Sequence, residues 1–387
     1  MDGEMQSGES SSLPILDLSY ADNSSKRPAL LEELHNALFN VGFLYIKDHG
    51  VSMETIMNLV SRLPALFNQG NSAKARLSKL NSPHFLGYSG FAEEMTLGEK
   101  DLREQFDLAT ELPVIWQDPT NHKKIGGPGD RDFTKLYWRL RGPNQWPCED
   151  HVPGFRKAYL EYHDALQALS YRFVHLVEEA FSIPIGTFDD FFLPRSCNMK
   201  TKSHPYMPPQ HRIKLVKYPP STGSFRGQGV GAHKDSSGWL TFLYQAGQEE
   251  GLEVVNASGE WIPAPPIEGT FVVNFGNAFE AATDGAVKAT VHRVKAPLSS
   301  SKPRYSIPFF QGLPLDLTVS EIRRYIPESV RRLRRESEGS DSYSNISTFL
   351  DPRWDSLGES QLRKWIRSHE DVGRKWYGDE VVSFYLQ

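Results

Sequence analysis

The chain has 387 residues, of which 39% are hydrophobic and 12% aromatic, so it can bury a sizeable core and is not a disordered protein. Its formal net charge of −5 and its pI near 6.2 give no overall basic field, which argues against nucleic acid as the main partner. Cys148 and Cys197 are the only cysteines, too few for a disulfide framework or a zinc cluster, and this favours a reducing compartment.

Residues 1–12 are polar and lack the basic start and the apolar core of a signal peptide, so we expect this segment to be disordered. No apolar run approaches the ~20 residues that span a bilayer. We therefore expect a cytoplasmic protein that binds neither a membrane nor nucleic acid. The sequence does not set its oligomeric state.

Residues 13–200 are predicted to form a mixed α/β region that packs against the core of the protein. Apolar residues follow helical spacing in some of its segments and short β-type runs in others. In chain order we predict a strand at 13–18, a helix from Pro28 to Gly42, a strand at 43–46, a helix that is capped by Ser52 and continues to Phe67, and a long helix at 152–182.

Residues 201–312 change to a β pattern, in which short apolar runs alternate with turn clusters rich in Pro, Gly, Asn and Asp. The predicted strands lie at 213–218, 239–245, 252–255, 270–275, 289–294 and 304–310. Such regular short strands suggest a double-sheet jelly roll, an architecture that buries a site between its sheets. We therefore predict a mainly β fold with flanking helices, a distorted double-stranded β-helix, followed by a helical extension at 313–387. The charged segment 331–347 of this extension has no assigned role.

A His-x-Asp pair, His233 and Asp235, comes directly before one of the predicted strands. On extended chain, residues two apart point to the same face, so an imidazole and a carboxylate would converge on one spot. These are two of the three ligands of a 2-His-1-carboxylate iron site. Taken alone, the pair also fits an ordinary surface turn. His292, in a β-branched run typical of a buried strand, supplies the third candidate ligand.

A candidate carboxylate anchor follows the third histidine. Arg304 and Ser306 form an i, i+2 pair on a predicted strand, so both side chains face the same way. A guanidinium is the natural partner of a carboxylate because it can bind both oxygens in one plane, and a serine hydroxyl can donate to the same group.

A metal triad followed by a carboxylate anchor, in this order, resembles the iron(II)/2-oxoglutarate-dependent oxygenases of the isopenicillin N synthase-like family. The resemblance extends to segments 13–18, 40–51, 214–220 and 272–276, and it covers roughly residues 13 to 312. One position departs from it: the family often has Asn two residues before the tyrosine of segment 214–220, and this chain has Val216.

The resemblance implies a 2-oxoglutarate/Fe(II)-dependent dioxygenase. In such an enzyme His233, Asp235 and His292 would be catalytic metal ligands, and Arg304, Ser306 and Tyr218 would hold the far carboxylate of 2-oxoglutarate. The implied cofactors are Fe(2+), 2-oxoglutarate and O2, with ascorbate as a supporting reductant. The implied reaction hydroxylates or otherwise oxidises an unactivated C–H of a small-molecule substrate, releases succinate and CO2, and belongs to secondary metabolism.

The substrate itself is not readable from the sequence. Segment 102–113 resembles the part of the family that frames the substrate cavity. The candidate wall residues are aromatic, and each of them is equally compatible with the core: Phe85, Phe106, Phe225, Trp239 and Phe279. Few lysines and arginines cluster near the predicted cavity mouth, which favours a neutral or weakly charged small molecule.

Two other functions remain open at this stage. The same scaffold can run an iron oxidase reaction without 2-oxoglutarate, as isopenicillin N synthase does. A non-enzymatic binding module built on the jelly roll is the alternative of another class. Iron content separates the module from both enzymes, and release of CO2 separates the two enzymes from each other.

Overall fold

The computed structural model describes residues 12–120, 131–194, 206–220, 227–236, 238–256, 258–296, 302–333 and 356–387. Its strands are β1 Ile15–Asp17, β2 Phe43–Lys47, β3 Gly87–Ser89, β4 Met95–Thr96, β5 Glu99–Lys100, β6 Glu104–Ala109, β7 Arg212–Tyr218, β8 Gln228–His233, β9 Leu240–Ala246, β10 Leu252–Val255, β11 Trp261–Pro263, β12 Phe271–Phe275, β13 His292–Lys295 and β14 Arg304–Phe310. Its α-helices are α1 Arg27–Asn40, α2 Met53–Val60, α3 Leu63–Phe67, α4 Asn71–Arg76, α5 Phe155–Ala180, α6 Asp189–Phe192, α7 Asn277–Ala282, α8 Val319–Arg323, α9 Glu328–Arg331, α10 Leu357–Ser368, α11 Glu370–Tyr377 and α12 Asp379–Leu386.

Two sheets make up the centre of the protein. The major sheet has eight strands in the order β1-β2-β12-β9-β14-β7-β6-β3, and the minor sheet has four in the order β11-β10-β13-β8. Apolar side chains from both sheets, among them Phe43, Val216, Val254 and Val294, form one buried cluster. This arrangement of two facing sheets with helices outside confirms the predicted distorted jelly roll.

The major sheet joins segments from both halves of the chain. Strands β1, β2, β3 and β6 come from the N-terminal region, and they flank four strands that come from residues 212–310. β6 pairs with β7 along its whole length, and β2 pairs with β12. The N-terminal region therefore extends the same sheet on both edges.

Helix α5 covers the outer face of the major sheet. The predicted apolar stripe is buried along the helix, with Tyr159, Tyr162, Leu166 and Phe173 all inaccessible to solvent. Phe173 meets Phe242 of β9 at a ring-centroid distance of 5.6 Å. The stripe thus fixes α5 to the sheet by apolar burial, as its 3.6-residue spacing predicts.

The helix predicted from Ser52 to Phe67 is two helices. Ser52 caps α2 as expected, because its Oγ accepts from the backbone N–H of Thr55 at 3.0 Å. α2 ends at Val60, and α3 begins at Leu63 with Pro64 in its first turn. Proline cannot donate a backbone hydrogen bond to the preceding turn, so it starts a new helix instead of continuing the old one.

The C-terminal helices form a second core with the loops of the N-terminal region. Trp365 of α10 is stacked on Phe85 at 6.0 Å between ring centroids, and Tyr377 of α11 contacts the same phenylalanine at 5.7 Å. Trp138 and Leu140 belong to this cluster. Over the described parts of the chain, no helix combines the length and the apolar character needed to cross a membrane.

Candidate metal centre

The three candidate ligands meet where two neighbouring strands of the minor sheet bring their ends together. His233 is the last residue of β8, His292 is the first residue of β13, and the two stand opposite each other in the antiparallel pairing. Asp235 follows just beyond the end of β8. Ligand-type atoms of the three side chains all lie within 4.8 Å of one another, which is the separation expected around one ion.

Hydrogen bonds fix the orientation of both imidazoles. Nδ1 of His233 lies 2.8 Å from the backbone oxygen of Gly231, and Nδ1 of His292 lies 3.1 Å from the backbone oxygen of Thr290. A carbonyl oxygen only accepts, so each Nδ1 carries the proton and each Nε2 keeps its lone pair. The Nε2 atoms lie 3.9 and 3.7 Å from Oδ1 of Asp235, so the free lone pairs and the carboxylate share one space.

Asp235 divides its two oxygens between different tasks. Oδ2 accepts from the hydroxyl of Thr241 and from the side-chain amide of Asn274, each at 2.7 Å. Oδ1 is left facing the two histidines. Burial raises the pKa of Asp235, but the histidines, Asn274 and Thr241 outweigh it and hold the pKa below its ordinary value. The carboxylate is therefore charged and fixed in place at neutral pH.

The backbone around Asp235 is held by a close approach of two turns. The N–H of Asn277 donates to the carbonyl oxygen of Asp235 at 2.8 Å. A Cβ atom on the preceding residue, Gly276, would overlap the carbonyl oxygen of Gly238. Glycine is therefore required at 276, because only the missing side chain lets the end of β12 lie against the turn that carries the carboxylate.

His233 is kept neutral by its surroundings. Burial and the neighbouring His292 lower the pKa of His233 to about 3. A neutral imidazole is the form that binds a metal, whereas a protonated one has no free lone pair.

Arg304 is a buried cation with unused donors. It is 1% exposed, its Nη2 donates to Oε1 of Gln245 at 2.8 Å, and its Nε and Nη1 have no hydrogen-bond partner among the described residues. The guanidinium carbon lies 4.9 Å from the centre of the Tyr218 ring, which stands opposite Arg304 in the pairing of β14 with β7. Burial lowers the pKa of Arg304, and Tyr218 partly offsets this. The group fits the carboxylate of a ligand, because no acidic side chain of the described residues lies against it.

Triad and anchor open into one cavity of about 1470 Å³. Tyr218 and Ser306 line it together with Arg304, as the i, i+2 spacing predicts. Val216 stands opposite Ser306 across β7 and β14, so an apolar side chain occupies the position where the family often has Asn.

The rim of the cavity carries exposed apolar side chains. β4 and β5 form a two-stranded hairpin beside the cavity, on which Met95 is 52% and Leu97 is 70% exposed. Residues of α10 and α11 line the wall as well, so the C-terminal helices border the cavity.

The described cavity walls are also richer in charge than the sequence suggested. Basic side chains outnumber acidic ones along them, and they include Lys100 of β5 and both Lys364 and Arg367 of α10. The expectation of few basic residues near the mouth is therefore wrong. The residues are far apart in the sequence, and only the docking of α10 brings them to one cavity.

Part of this charge belongs to a buried ionic cluster, which the sequence analysis missed. Nζ of Lys79 lies 2.7 Å from Asp107 and 3.3 Å from Glu94, and Nζ of Lys214 lies 3.6 Å from each of the same acids. Burial raises the pKa of Glu94, but Lys214 and Lys79 outweigh it and hold the pKa well below its ordinary range. The only sequence signal for this cluster was the acidic pattern of segment 102–113.

The structure does not bring the predicted wall aromatics to the cavity. Phe106, Trp239 and Phe279 are buried in the core between the major sheet and the helices, and Phe85 is buried in the C-terminal core. Phe225 lies outside the described residues. Period-2 alternation shows that a strand has two faces, but it does not show which face meets helices and which meets the cavity. Tyr88, Phe91, Phe310 and Trp365 are aromatic residues that do line it.

Comparisons with known proteins agree with this geometry. Residues 13–149 match the family described as non-haem dioxygenase in morphine synthesis N-terminal, and residues 209–312 match the 2OG-Fe(II) oxygenase superfamily. A 2-oxoglutarate-dependent dioxygenase of Dothideomycetidae sp. (strain 11243) is 39% identical over 371 residues, which cover 94% of this chain and 92% of the relative. A 2-oxoglutarate-dependent dioxygenase of Gibberella zeae is 30% identical over 377 residues, covering 95% of this chain and 92% of the relative.

Among solved structures, the fold is similar to that of a full-length Neurospora crassa protein in complex with alpha-KG and thymine. The TM-score is 0.65 and the identity 21%, over 92% of this chain and 96% of the other. The chain has a jelly-roll fold, and the two dioxygenase relatives match it over nearly its whole length. The protein therefore belongs to the 2-oxoglutarate/Fe(II) oxygenase superfamily and is a dioxygenase that uses Fe(2+), 2-oxoglutarate and O2.

Proposed function

We propose that His233, Asp235 and His292 bind the iron(II), and that Arg304 binds the far carboxylate of 2-oxoglutarate with Ser306 and Tyr218 beside it. The three ligands would take one face of an octahedral ion and leave three positions for 2-oxoglutarate and O2. Among the described residues they form the one group of three metal-ligating side chains with suitable spacing.

The assignment of 2-oxoglutarate to Arg304 depends on one observation: this buried guanidinium has no acidic partner among the described residues. A buried guanidinium with two unused nitrogens costs free energy unless a ligand satisfies it, and a carboxylate does so in a dry site. In an oxidase that works without 2-oxoglutarate, or in a non-enzymatic binding module, this donor set would need the carboxylate of a different ligand. The iron and 2-oxoglutarate supply the activation of O2 that oxidises a substrate C–H, with succinate and CO2 as co-products.

The residues of the chain have distinct tasks in this reaction. The backbone oxygens of Gly231 and Thr290 orient the histidines so that their free lone pairs would face a bound ion, and Thr241 and Asn274 hold Asp235 so that one oxygen would face it as well. We extend the proposal to a small-molecule substrate of secondary metabolism. It is supported by two fungal relatives named 2-oxoglutarate-dependent dioxygenases and by a cavity of a size that admits a small molecule.

Removing single ligands tests the metal site. We expect His233→Ala and Asp235→Ala to lose iron(II) binding and 2-oxoglutarate-dependent succinate formation while the far-ultraviolet circular dichroism stays that of the wild type. The matched control is His175→Ala, since His175 lies on α5 and pairs with Asp189, away from the cavity. Near-normal turnover in either ligand variant would rule out the assignment. Wild-type turnover without 2-oxoglutarate would favour the oxidase instead.

A further inference from the structure

Four cations surround one tryptophan at the wall of the cavity. The ring centre of Trp365 lies 4.4 Å from the guanidinium carbon of Arg212 and 4.8 Å from Nζ of Lys364. Nζ of Lys214 is 5.4 Å from it and Nζ of Lys79 is 5.6 Å from it. So much positive charge in a largely dry place is unfavourable unless each charge finds a partner.

Three of these four cations are satisfied within the protein. Glu94 and Asp107 lie within ion-pair distance of both Lys79 and Lys214. Arg212 donates instead to backbone carbonyl groups, those of His84 at 2.8 Å, Phe85 at 3.3 Å and Leu140 at 3.3 Å. Two acids thus balance two lysines, and the arginine is held by neutral acceptors.

Lys364 has no such partner. Among the described residues its Nζ forms no salt bridge and no hydrogen bond, and its one interaction is the cation–π contact with Trp365. The side chain is partly buried and lines the cavity that also holds the metal triad. Burial and Lys214 lower the pKa of Lys364 to about 8, and Asp235 partly offsets this. The amine is therefore mostly charged at neutral pH, and its side chain lines the same cavity as Asp235.

We propose, on the basis of the function proposed above, that the primary substrate carries a carboxylate group and that Lys364 binds it. A single unbalanced positive charge that is partly buried matches a monoanion, whereas a phosphate dianion would leave a negative charge beside Lys364. Arg304, the other cation of the described cavity walls that is withdrawn from solvent and has no acidic partner, is taken by 2-oxoglutarate. Lys100 and Arg367 also line the cavity, but both are exposed to solvent. A carboxylate substrate differs from the neutral or weakly charged substrate that the sequence suggested.

The test uses simple carboxylates as probes, with the protein loaded with cobalt(II) and saturating 2-oxoglutarate so that Arg304 is occupied. Hexanoate and 3-phenylpropionate are compared with hexanamide and 3-phenylpropionamide by calorimetry at pH 7. We expect the wild type to bind the acids about tenfold more tightly than the amides, since a charge-assisted hydrogen bond contributes on this order. The preference disappears in Lys364→Gln and persists in Lys375→Gln, the control in which an exposed lysine of α11 outside the cavity is changed in the same way.

Several results would overturn the proposal. One is equal binding of acids and amides, and another is no binding of either at probe concentrations up to about 10 millimolar, which is on the order of the Kd of a weak ligand. A preference for acids that survives in Lys364→Gln would also overturn it, as would tighter binding of phenyl phosphate than of 3-phenylpropionate. An acid preference that is found in a parallel titration without 2-oxoglutarate, but not with it, would show that the probes occupied Arg304 and not Lys364.

Two further measurements distinguish a failure of the Lys364 proposal from a failure of the proposed function. Without ligands, Lys364→Gln is expected to melt at or above the wild-type temperature, because it removes an unbalanced, partly buried charge. A clearly lower melting temperature would indicate a structural lysine and count against the proposal. Binding of 2-oxoglutarate is measured first: if it is absent, the proposed function fails, whereas intact 2-oxoglutarate binding without an acid preference overturns only the role of Lys364.

Discussion

At the scale of single residues, the metal centre depends on side chains that do not touch the metal. Asp235 presents one oxygen to the histidines only because Thr241 and Asn274 occupy the other. Without these two donors the carboxylate would be free to rotate, and burial would favour its protonated form. Thr241 and Asn274 are therefore positioning residues for the ligand set.

Thr241→Val tests this positioning role. The change keeps the shape of the side chain but removes the hydrogen bond to Oδ2, and we expect cobalt(II) affinity to fall about 10- to 100-fold, as is usual when such a partner of a ligand is lost. The control is Thr270→Val, because the Thr270 hydroxyl donates to the Ile267 backbone, away from the site. A metal titration checks both variants. Equal affinities in Thr241→Val and the wild type would contradict the role.

Arg304→Lys tests whether binding of 2-oxoglutarate can be weakened without weakening binding of the metal. Lysine keeps the charge but loses the planar guanidinium, so we expect the apparent KM for 2-oxoglutarate to rise about 10- to 100-fold while iron(II) affinity changes little. Succinate formation is measured against 2-oxoglutarate concentration, with Arg374→Lys on the exposed face of α11 as control. An unchanged KM would mean that Arg304 holds the carboxylate of a different ligand.

At the scale of elements, strands with β-branched residues could be predicted from the sequence. The pairing of these strands in the sheets could not. β10 and β14 have the predicted bounds because apolar, β-rich runs end at clear turn residues. β8 was missed, because Gln228 to His233 contains two glycines and little β-branched sequence, and its strand character comes from pairing with β13. The ligand triad was predicted all the same, since the family resemblance depends on residue identities and their order.

The residues that contact the metal ligands or share their cavity could not be predicted for a related reason. Asn274 lies in a segment that resembled the family, but nothing in the sequence links it to Asp235. Lys364 and Glu94 are separated by most of the chain, and only the docking of α10 against the loops before β6 brings them to one cavity. Contacts of this kind are long-range, and periodicity carries no information about them.

The junction between α10 and α11 closes the buried ionic cluster with a histidine. Nε2 of His369 lies 2.8 Å from Glu94 and 2.9 Å from Nζ of Lys79, and its ring stacks on Phe85. Burial and the positive charge of Lys79 lower the pKa of His369 to about 4, although Glu94 acts in the opposite direction. The histidine is therefore neutral in the folded protein under conditions in which the unfolded chain takes up a proton.

This predicts a loss of stability on acidification that is traceable to His369. Below pH 6.5 the unfolded chain binds a proton that the folded protein does not accept until about pH 4, so stability falls across this window by roughly 3 kcal/mol. In His369→Gln the free energy of unfolding should depend less steeply on pH between 6.5 and 4.5. Phe279→Leu, which shortens a buried side chain in the core between the major sheet and the helices, away from His369, should lower stability and keep the slope. Equal slopes in His369→Gln and the wild type, from denaturant titrations, would contradict the assignment.

At the scale of the whole molecule, the candidate centre connects the two sheets. The histidines belong to β8 and β13 of the minor sheet, whereas Thr241 and Asn274, which hold the carboxylate, belong to β9 and β12 of the major sheet. Arg304 extends the connection to β14, at the middle of the major sheet. Ligands bound here would act on the contact between the sheets as well as on the chemistry.

Binding of metal and of 2-oxoglutarate should therefore stabilise the fold in two ordered steps. A ligand at a hundredfold excess over its Kd contributes about 2.7 kcal/mol, which raises the melting temperature of a chain of this size by several degrees, at ~2–4 °C per kcal/mol. We expect cobalt(II) to give a first rise in the wild type, and 2-oxoglutarate a second rise that requires the metal. Differential scanning calorimetry with each ligand alone and with both checks the order.

The variants assign each step to its residues. Arg304→Lys should keep the cobalt(II) rise and lose most of the 2-oxoglutarate rise, because the metal ligands are intact while the carboxylate anchor is weakened. Asp235→Ala should lose both, because 2-oxoglutarate then has no metal to bind. If 2-oxoglutarate stabilised Asp235→Ala as strongly as the wild type, its binding would not depend on this metal centre. The carboxylate anchor and the triad would then be two separate sites in one cavity.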